Sequence, residues 1–178
     1  MTFTVNLRIT KAVIDYFKGF AVVLRFLLLA VFMVGVPALV EARGCYSLSE
    51  FESEQGLRIH SELMVIGLTC QKVPGGDKLF PKYQTFTRKN QYLLEEYENT
   101  MIRHYRAVGA TSPAKSLHNL RTGMANEISQ KAIRMNIGAF CGHYKNRIDQ
   151  ALQMDHDTIR RWAQKRWPTQ PPSKPLCG

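Results

Sequence analysis

The chain has 178 residues, with 24 lysines and arginines against 14 acids and a formal net charge of +10. Its first 42 residues read as an export segment, and the 136 that follow suit one domain with one core rather than several. Export removes cytosolic nucleotides, reductants and metabolism from consideration, so no nucleic-acid partner is expected.

Arg8, Lys11, Lys18 and Arg25 precede an uncharged run of 15 residues from Phe26 to Val40, and Val40-Glu41-Ala42 offers small side chains at the −3 and −1 positions of a cleavage site. The expectation is a secretory signal over 1–42, cleaved to leave a periplasmic or secreted domain over 43–178. Two alternatives stand beside it. Residues 20–40 could act as an uncleaved inner-membrane anchor if Arg25 snorkels to the interface, giving a bitopic membrane-anchored helical protein. A lipoprotein modified at Cys45 is the other, although Ala42 and Arg43 stand where lipid attachment wants an aliphatic and a small residue.

Tyr46-Ser47-Leu48-Ser49-Glu50-Phe51 carries a helix start: Ser47 as cap, Glu50 closing a capping box, and Tyr46 and Phe51 as a hydrophobic staple. Leu48, Phe51, Ile59, Leu63, Ile66 and Cys70 then mark one face of a helix that Pro74-Gly75-Gly76 ends. A second helix is expected from about Lys82 to Val108, with Phe86, Leu93, Tyr97, Met101, His104 and Val108 as its stripe and Gly109 as its C-terminal cap. Ser112-Pro113 opens a third long helix running toward Ala139 through Leu117, Leu120, Met124, Ile128 and Ala132, weakened by Gly138 and Gly142 near Cys141. A further stretch includes Ile148 and Leu152. Asp155 caps a short last helix with Ile159 and Trp162, and the tail from Pro168 to Gly178 holds four prolines and reads as irregular. No strand alternation or internal repeat occurs. The fold class is therefore all-α: a disulfide-stapled up-down-up helical bundle with a short fourth helix and an irregular Pro-rich tail.

Four cysteines in an exported chain allow two disulfides in three connectivities. Cys45 and Cys70 sit at opposite ends of the first helix, roughly 35 Å apart at 1.5 Å per residue, which excludes their pairing. Up-down-up order puts Cys70 and Cys141 at one end, and a returning tail brings Cys177 to Cys45. Cys70–Cys141 with Cys45–Cys177 is the expected set. The absence of C-x-x-C spacing favours staples over redox or metal chemistry.

Chemical sites are sparse. His60 with Met64, and Met101 with His104, form two soft half-sites, but hairpin geometry separates them by roughly 15 Å. Cys141-Gly142-His143 places a thiol beside a base, though a disulfide consumes that thiol. Glu62 and the Glu95, Glu96 and Glu98 group could supply carboxylates for hydrolysis. No phosphate loop, nucleophile elbow, metal-binding helix or haem motif is present, so no catalytic residue, metal or cofactor is assigned.

Charge is uneven: residues 43–112 hold 9 bases and 8 acids, and residues 113–178 hold 11 bases and 4 acids. The strongest sign of a partner is Arg160, Arg161, Trp162, Lys165, Arg166 and Trp167, four cations and two indoles within eight residues. The functional expectation is a non-enzymatic binding or structural protein of the bacterial envelope. Its basic C-terminal surface would meet an anionic envelope component or a protein partner, and a membrane only if the N-terminal segment is retained. An envelope hydrolase of unknown substrate is the alternative.

Overall fold

The computed structural model describes residues 44–168 and 170–177. The expected signal or anchor segment lies outside them. The described residues form an all-α fold of seven helices, named here α1 (Leu48–Cys70), α2 (Leu79–Lys89), α3 (Gln91–Ala107), α4 (Pro113–Arg134), α5 (Ile137–Tyr144), α6 (Asn146–Leu152) and α7 (His156–Ala163). None of them is long and apolar enough to cross a membrane.

α1 begins with the capping box read from the sequence: the Ser47 hydroxyl accepts from the Glu50 backbone N–H, and the Glu50 carboxylate accepts from the Ser47 N–H at 2.8 Å. The staple residues Tyr46 and Phe51 are both buried. Beyond the cap, the helix departs from a one-sided stripe. Every residue from Phe51 to Leu63 is buried, because α1 is the axis of the domain and packs against all six other helices. Leu57, Leu63 and Ile66 are fully buried at its centre, each contributing about 1.5–3 kcal/mol of apolar transfer. Leu48, expected on the apolar face, is instead exposed.

Two expected rods are broken, and asparagine breaks both. The second helix is divided at Asn90, whose side-chain N–H donates to the Phe86 carbonyl at 2.9 Å while its own backbone N–H reaches the same oxygen at 3.1 Å. A side chain competing for a helix carbonyl bends the chain out of helical dihedrals, and Asn90 sits at φ −112°, ψ 17°. The third helix ends at Arg134, earlier than its glycines implied. Asn136 adopts φ +67°, and its side-chain oxygen accepts from the Gly138 N–H to start α5 afresh. Gly109 takes the expected left-handed cap after α3 at φ +80°, and Asp155 caps α7 by accepting from Thr158 N–H at 2.7 Å.

Disulfides join Cys70 to Cys141, with Cα atoms 5.5 Å apart, and Cys45 to Cys177, with Cα atoms 5.1 Å apart. The first ties α5 to the C-terminal end of α1. The second anchors the tail, which also pairs with Tyr46 through Tyr46 N–H to the Pro175 carbonyl (2.7 Å) and Cys177 N–H to the Tyr46 carbonyl (2.9 Å). Disulfides of this structural kind form and persist chiefly in oxidising surroundings.

Gly56 lets α1 and α3 approach closely: a Cβ built there would overlap the ring of Tyr97, itself buried and donating to Glu52. Gly56→Ala should therefore destabilise the domain by about 1–3 kcal/mol through overpacking, although alanine is the better helix former by about 1 kcal/mol. Gly123→Ala in α4, where a Cβ meets nothing within 4 Å, should be neutral or stabilising. Urea unfolding of the two variants checks the pair, and equal midpoints would exclude the close approach.

Candidate binding cleft

A helix buried on all sides must place its polar residues in the interior, and α1 buries Glu52, Glu54, Arg58, His60 and Glu62. Each is answered from elsewhere in the chain. Glu52 accepts from Tyr97 OH (3.1 Å), Arg160 (2.8 Å) and Gln164 (2.7 Å). Arg58 reaches Glu127 at 2.7 Å and Glu54 at 3.7 Å. Glu62 holds Arg147 at 2.7 Å.

Fully buried Glu54 clasps the tail, accepting from Ser173 N–H at 2.7 Å and from the Ser173 hydroxyl. Burial raises the pKa of the Tyr46 phenol, which keeps its proton and donates to Ser173 Oγ at 2.8 Å. Beside this clasp, His104 Nδ1 meets Glu50 at 2.8 Å and Nε2 meets Lys174 Nζ at 3.2 Å. Desolvation pushes the Glu50 carboxyl up, but hydrogen bonds from Ser47 and His104 outweigh it and hold its pKa low.

These anchors leave a cleft of about 490 Å³ between α1, the end of α4, α5–α6, α7 and the tail. Ile59, Gln55 and Glu62 of α1 contribute to its floor. The Cys70–Cys141 bond fixes α5 against α1 and so sets Tyr144, whose ring has Lys131 Nζ at 4.7 Å and the Arg147 guanidinium at 4.6 Å from its centroid. α7 turns Ile159 and Ala163 into the core and supplies Thr158, Arg161 and Trp162 to the opposite wall. The chain beyond it adds Lys165, Trp167 and Gln170. Gln170 is held by two long contacts of 3.4 Å, from Gln55 Nε2 to its carbonyl and from its own Nε2 to Glu62.

The basic aromatic cluster singled out in the sequence is thus divided. Arg161, Trp162, Lys165 and Trp167 line the cleft. Arg160 turns away from it, paired with Glu52 and with Glu96 at 2.6 Å, and its pKa is raised by those carboxylates. Arg166 is exposed and is not among the lining residues. Four cations meet one carboxylate in the lining, and that carboxylate is already committed to Arg147. Lys131, Arg161 and Lys165 have no ion-pair partner among the described residues. Sequence spacing did not reveal Lys131, Tyr144 or Arg147, which come from helices joined to α7 only in three dimensions.

The other chemical candidates are structural in this arrangement. His60 is buried with Tyr83 OH at 3.0 Å and Thr87 Oγ1 at 3.1 Å, far from forming a soft metal pair with His104, which belongs to the Glu50 clasp. Glu96 and Glu98 are held by Arg160 and Arg121. Among the described residues no cluster of histidine, cysteine and acids is arranged to hold a metal ion. No protein-family model, curated protein or solved structure matches this chain.

His60 generates a pH dependence. Burial, with the charge of Arg121 adding to it, lowers its pKa from 6.5 to about 4. The unfolded chain takes up a proton near pH 6.5 that the native state refuses until about pH 4, so stability from this group is complete above 6.5 and falls as pH drops through that window. The loss should total about 3 kcal/mol, at 1.36 kcal/mol per pH unit. Urea titrations between pH 7 and 4 should show it in the wild type and a much shallower slope in His60→Gln; parallel slopes would assign the acid lability elsewhere.

Proposed function

We propose that this is an exported, non-enzymatic binding protein of the bacterial envelope whose cleft takes an anionic partner. Its N-terminal segment would deliver it to the periplasm or the exterior after cleavage at Ala42, or hold it at the inner membrane through residues 20–40. The observation that carries the proposal is the convergence of Lys131, Arg161 and Lys165, all without ion-pair partners among the described residues, with the rings of Tyr144, Trp162 and Trp167 around one concave site. Cations that outnumber acids at a concave aromatic surface create a positive field that draws and orients anions. The basic C-terminal half also has internal work, since Arg121, Arg147 and Arg160 neutralise acids of the first half. Only the unspent cations are offered to a partner. Hydrolysis by the acids of the first helices has less support, because Glu62, Glu96 and Glu98 are engaged in ion pairs.

The discriminating experiment is a pull-down from envelope extracts at about 0.1 M and 1 M salt, over which the screening length falls from ~10 to ~3 Å. Arg161→Glu/Lys165→Glu should abolish capture at low salt and leave stability nearly unchanged, both side chains being exposed. Arg160→Glu should instead destabilise the fold by about 3–5 kcal/mol, because it sets a like charge against buried Glu52. Capture that ignores both salt and the double substitution would sink the proposal.

A further inference from the structure

We infer that the ligand of this cleft is an acidic saccharide, a sugar ring carrying a carboxylate or a phosphate. The inference rests on the anionic-partner reading of the same site and narrows it. Cations alone do not choose among anions; the remaining lining does. Gln55, Gln150, Gln170 and Thr158 place three amides and a hydroxyl around the cavity. Gln55 and Gln170 each donate through one contact of 3.4 Å and the Thr158 hydroxyl accepts from Arg161 at 2.8 Å, while the donors and acceptors they have left, with those of Gln150, suit sugar hydroxyls, which both donate and accept. Ile59 and Met154 are the only aliphatic side chains in the lining, and an acyl chain seated on them would face the amides of Gln150 and Gln170 without engaging them. An acidic peptide supplies carboxylates but few hydroxyls to engage this set.

The aromatic rings complete the match. One face of a sugar ring presents C–H groups, whose weak positive charge suits the negative face of an indole or phenol. Trp162 and Trp167 offer such faces, with Trp167 37% exposed, and Tyr144 stands among the cations Lys131 and Arg147. An equatorial carboxylate or phosphate of a stacked ring then meets Arg161 and Lys165, where a guanidinium can donate two hydrogen bonds at once. The two 3.4 Å contacts of Gln170 lie at the weak end of hydrogen bonding and can be exchanged for ligand hydroxyls at little cost. A cavity of about 490 Å³ accommodates one or two sugar rings.

The chain has two tryptophans, and both line the cleft, so its indole emission reports the site directly. The full-length protein is titrated with trigalacturonate, glucose 6-phosphate, maltotriose and triglutamate, with calorimetry in parallel. At least one of the two acidic sugars should bind about tenfold or more tighter than maltotriose and triglutamate, and which one does so tells carboxylate from phosphate. Gln150→Leu, a change at an exposed position, should weaken that sugar about tenfold and leave triglutamate unchanged, whereas Arg161→Glu/Lys165→Glu should weaken every anion. Triglutamate binding as tightly as the best acidic sugar overturns the saccharide assignment and leaves the anionic-partner reading standing. Maltotriose binding equally well overturns the acidic requirement. If none of the four binds, the saccharide assignment fails. In that case, salt-sensitive capture from envelope extracts still upholds an anionic partner, and its absence removes both.

Discussion

The arrangement of this domain depends on one helix whose whole circumference is buried while carrying charge. Between Phe51 and Leu63 no residue of α1 reaches solvent appreciably, yet Glu52, Glu54, Arg58 and Glu62 lie within that stretch. A carboxylate taken out of water without partners costs several kcal/mol, far more than the about 1.5–3 kcal/mol that a buried leucine returns. The fold is therefore limited to arrangements that deliver a donor to each acid. Arg160 and Gln164 must come to Glu52, Arg147 to Glu62, and the Ser173 backbone to Glu54. Those four donors lie on α6, on α7 with its C-terminal cap, and in the tail; α6 and α7 each bury only two apolar side chains of their own. Buried pairs of this kind add little net stability over well-packed carbon. Their effect is selective: wrong dockings of α6, α7 or the tail leave charge unpaired.

The same requirement resolves the uneven charge of the chain. A nearly neutral first part and a basic second part are complementary within one molecule, and Arg121–Glu98, Arg147–Glu62 and Arg160–Glu96 join the two. Net charge counted along the sequence therefore overstates what is available to a partner. What remains is local: Lys131, Arg161 and Lys165 gather on one side of α7, and Arg160, one residue away from Arg161, points to the other. A helical step of 100° per residue separates a structural cation from an offered one.

Local signals were legible in the sequence because they act within a few residues. The Ser47–Glu50 box, the Asp155 cap and the Gly109 turn depend on neighbours in the chain, and so does the rise per residue that keeps Cys45 from Cys70. All-round burial of α1 was not legible. Glu52, Ser53, Glu54 and Gln55 in succession have the composition of a solvent face, and only their distant donors make them an interior one. Asn90 and Asn136 carry none of the breaker signal of glycine or proline, yet both use a side-chain amide or oxygen on nearby backbone to stop and restart a helix. Of the basic aromatic cluster at 160–167, Arg161, Trp162, Lys165 and Trp167 lie in the cleft lining and Arg160 and Arg166 do not. Lys131, Tyr144 and Arg147 sit on three other helices with no spacing that ties them to α7, and the Cys70–Cys141 bond holds the one that carries Tyr144.

The tail unites these threads. It has little apolar surface with which to hold itself, and it ends at a disulfide that closes 132 residues of separation, near the upper end of what a cross-link contributes, about 5 kcal/mol. Ordering a backbone residue costs about 1–2 kcal/mol, so the stretch from Gln170 to Cys177 needs that constraint together with the Glu54–Ser173 clasp and the Tyr46 pairing. Prolines lower the cost, since their φ is already fixed in the unfolded chain. Trp167 and Gln170 lie where this pinned stretch begins, and they form one wall of the cleft. The far wall at Tyr144 is set by the other disulfide. Both walls are thus joined, one through the tail and one through α5, to covalent bonds that lie away from the groups that would touch a ligand. A pocket held in this way loses little entropy when it is filled, because the fold and its cross-links have already ordered its walls.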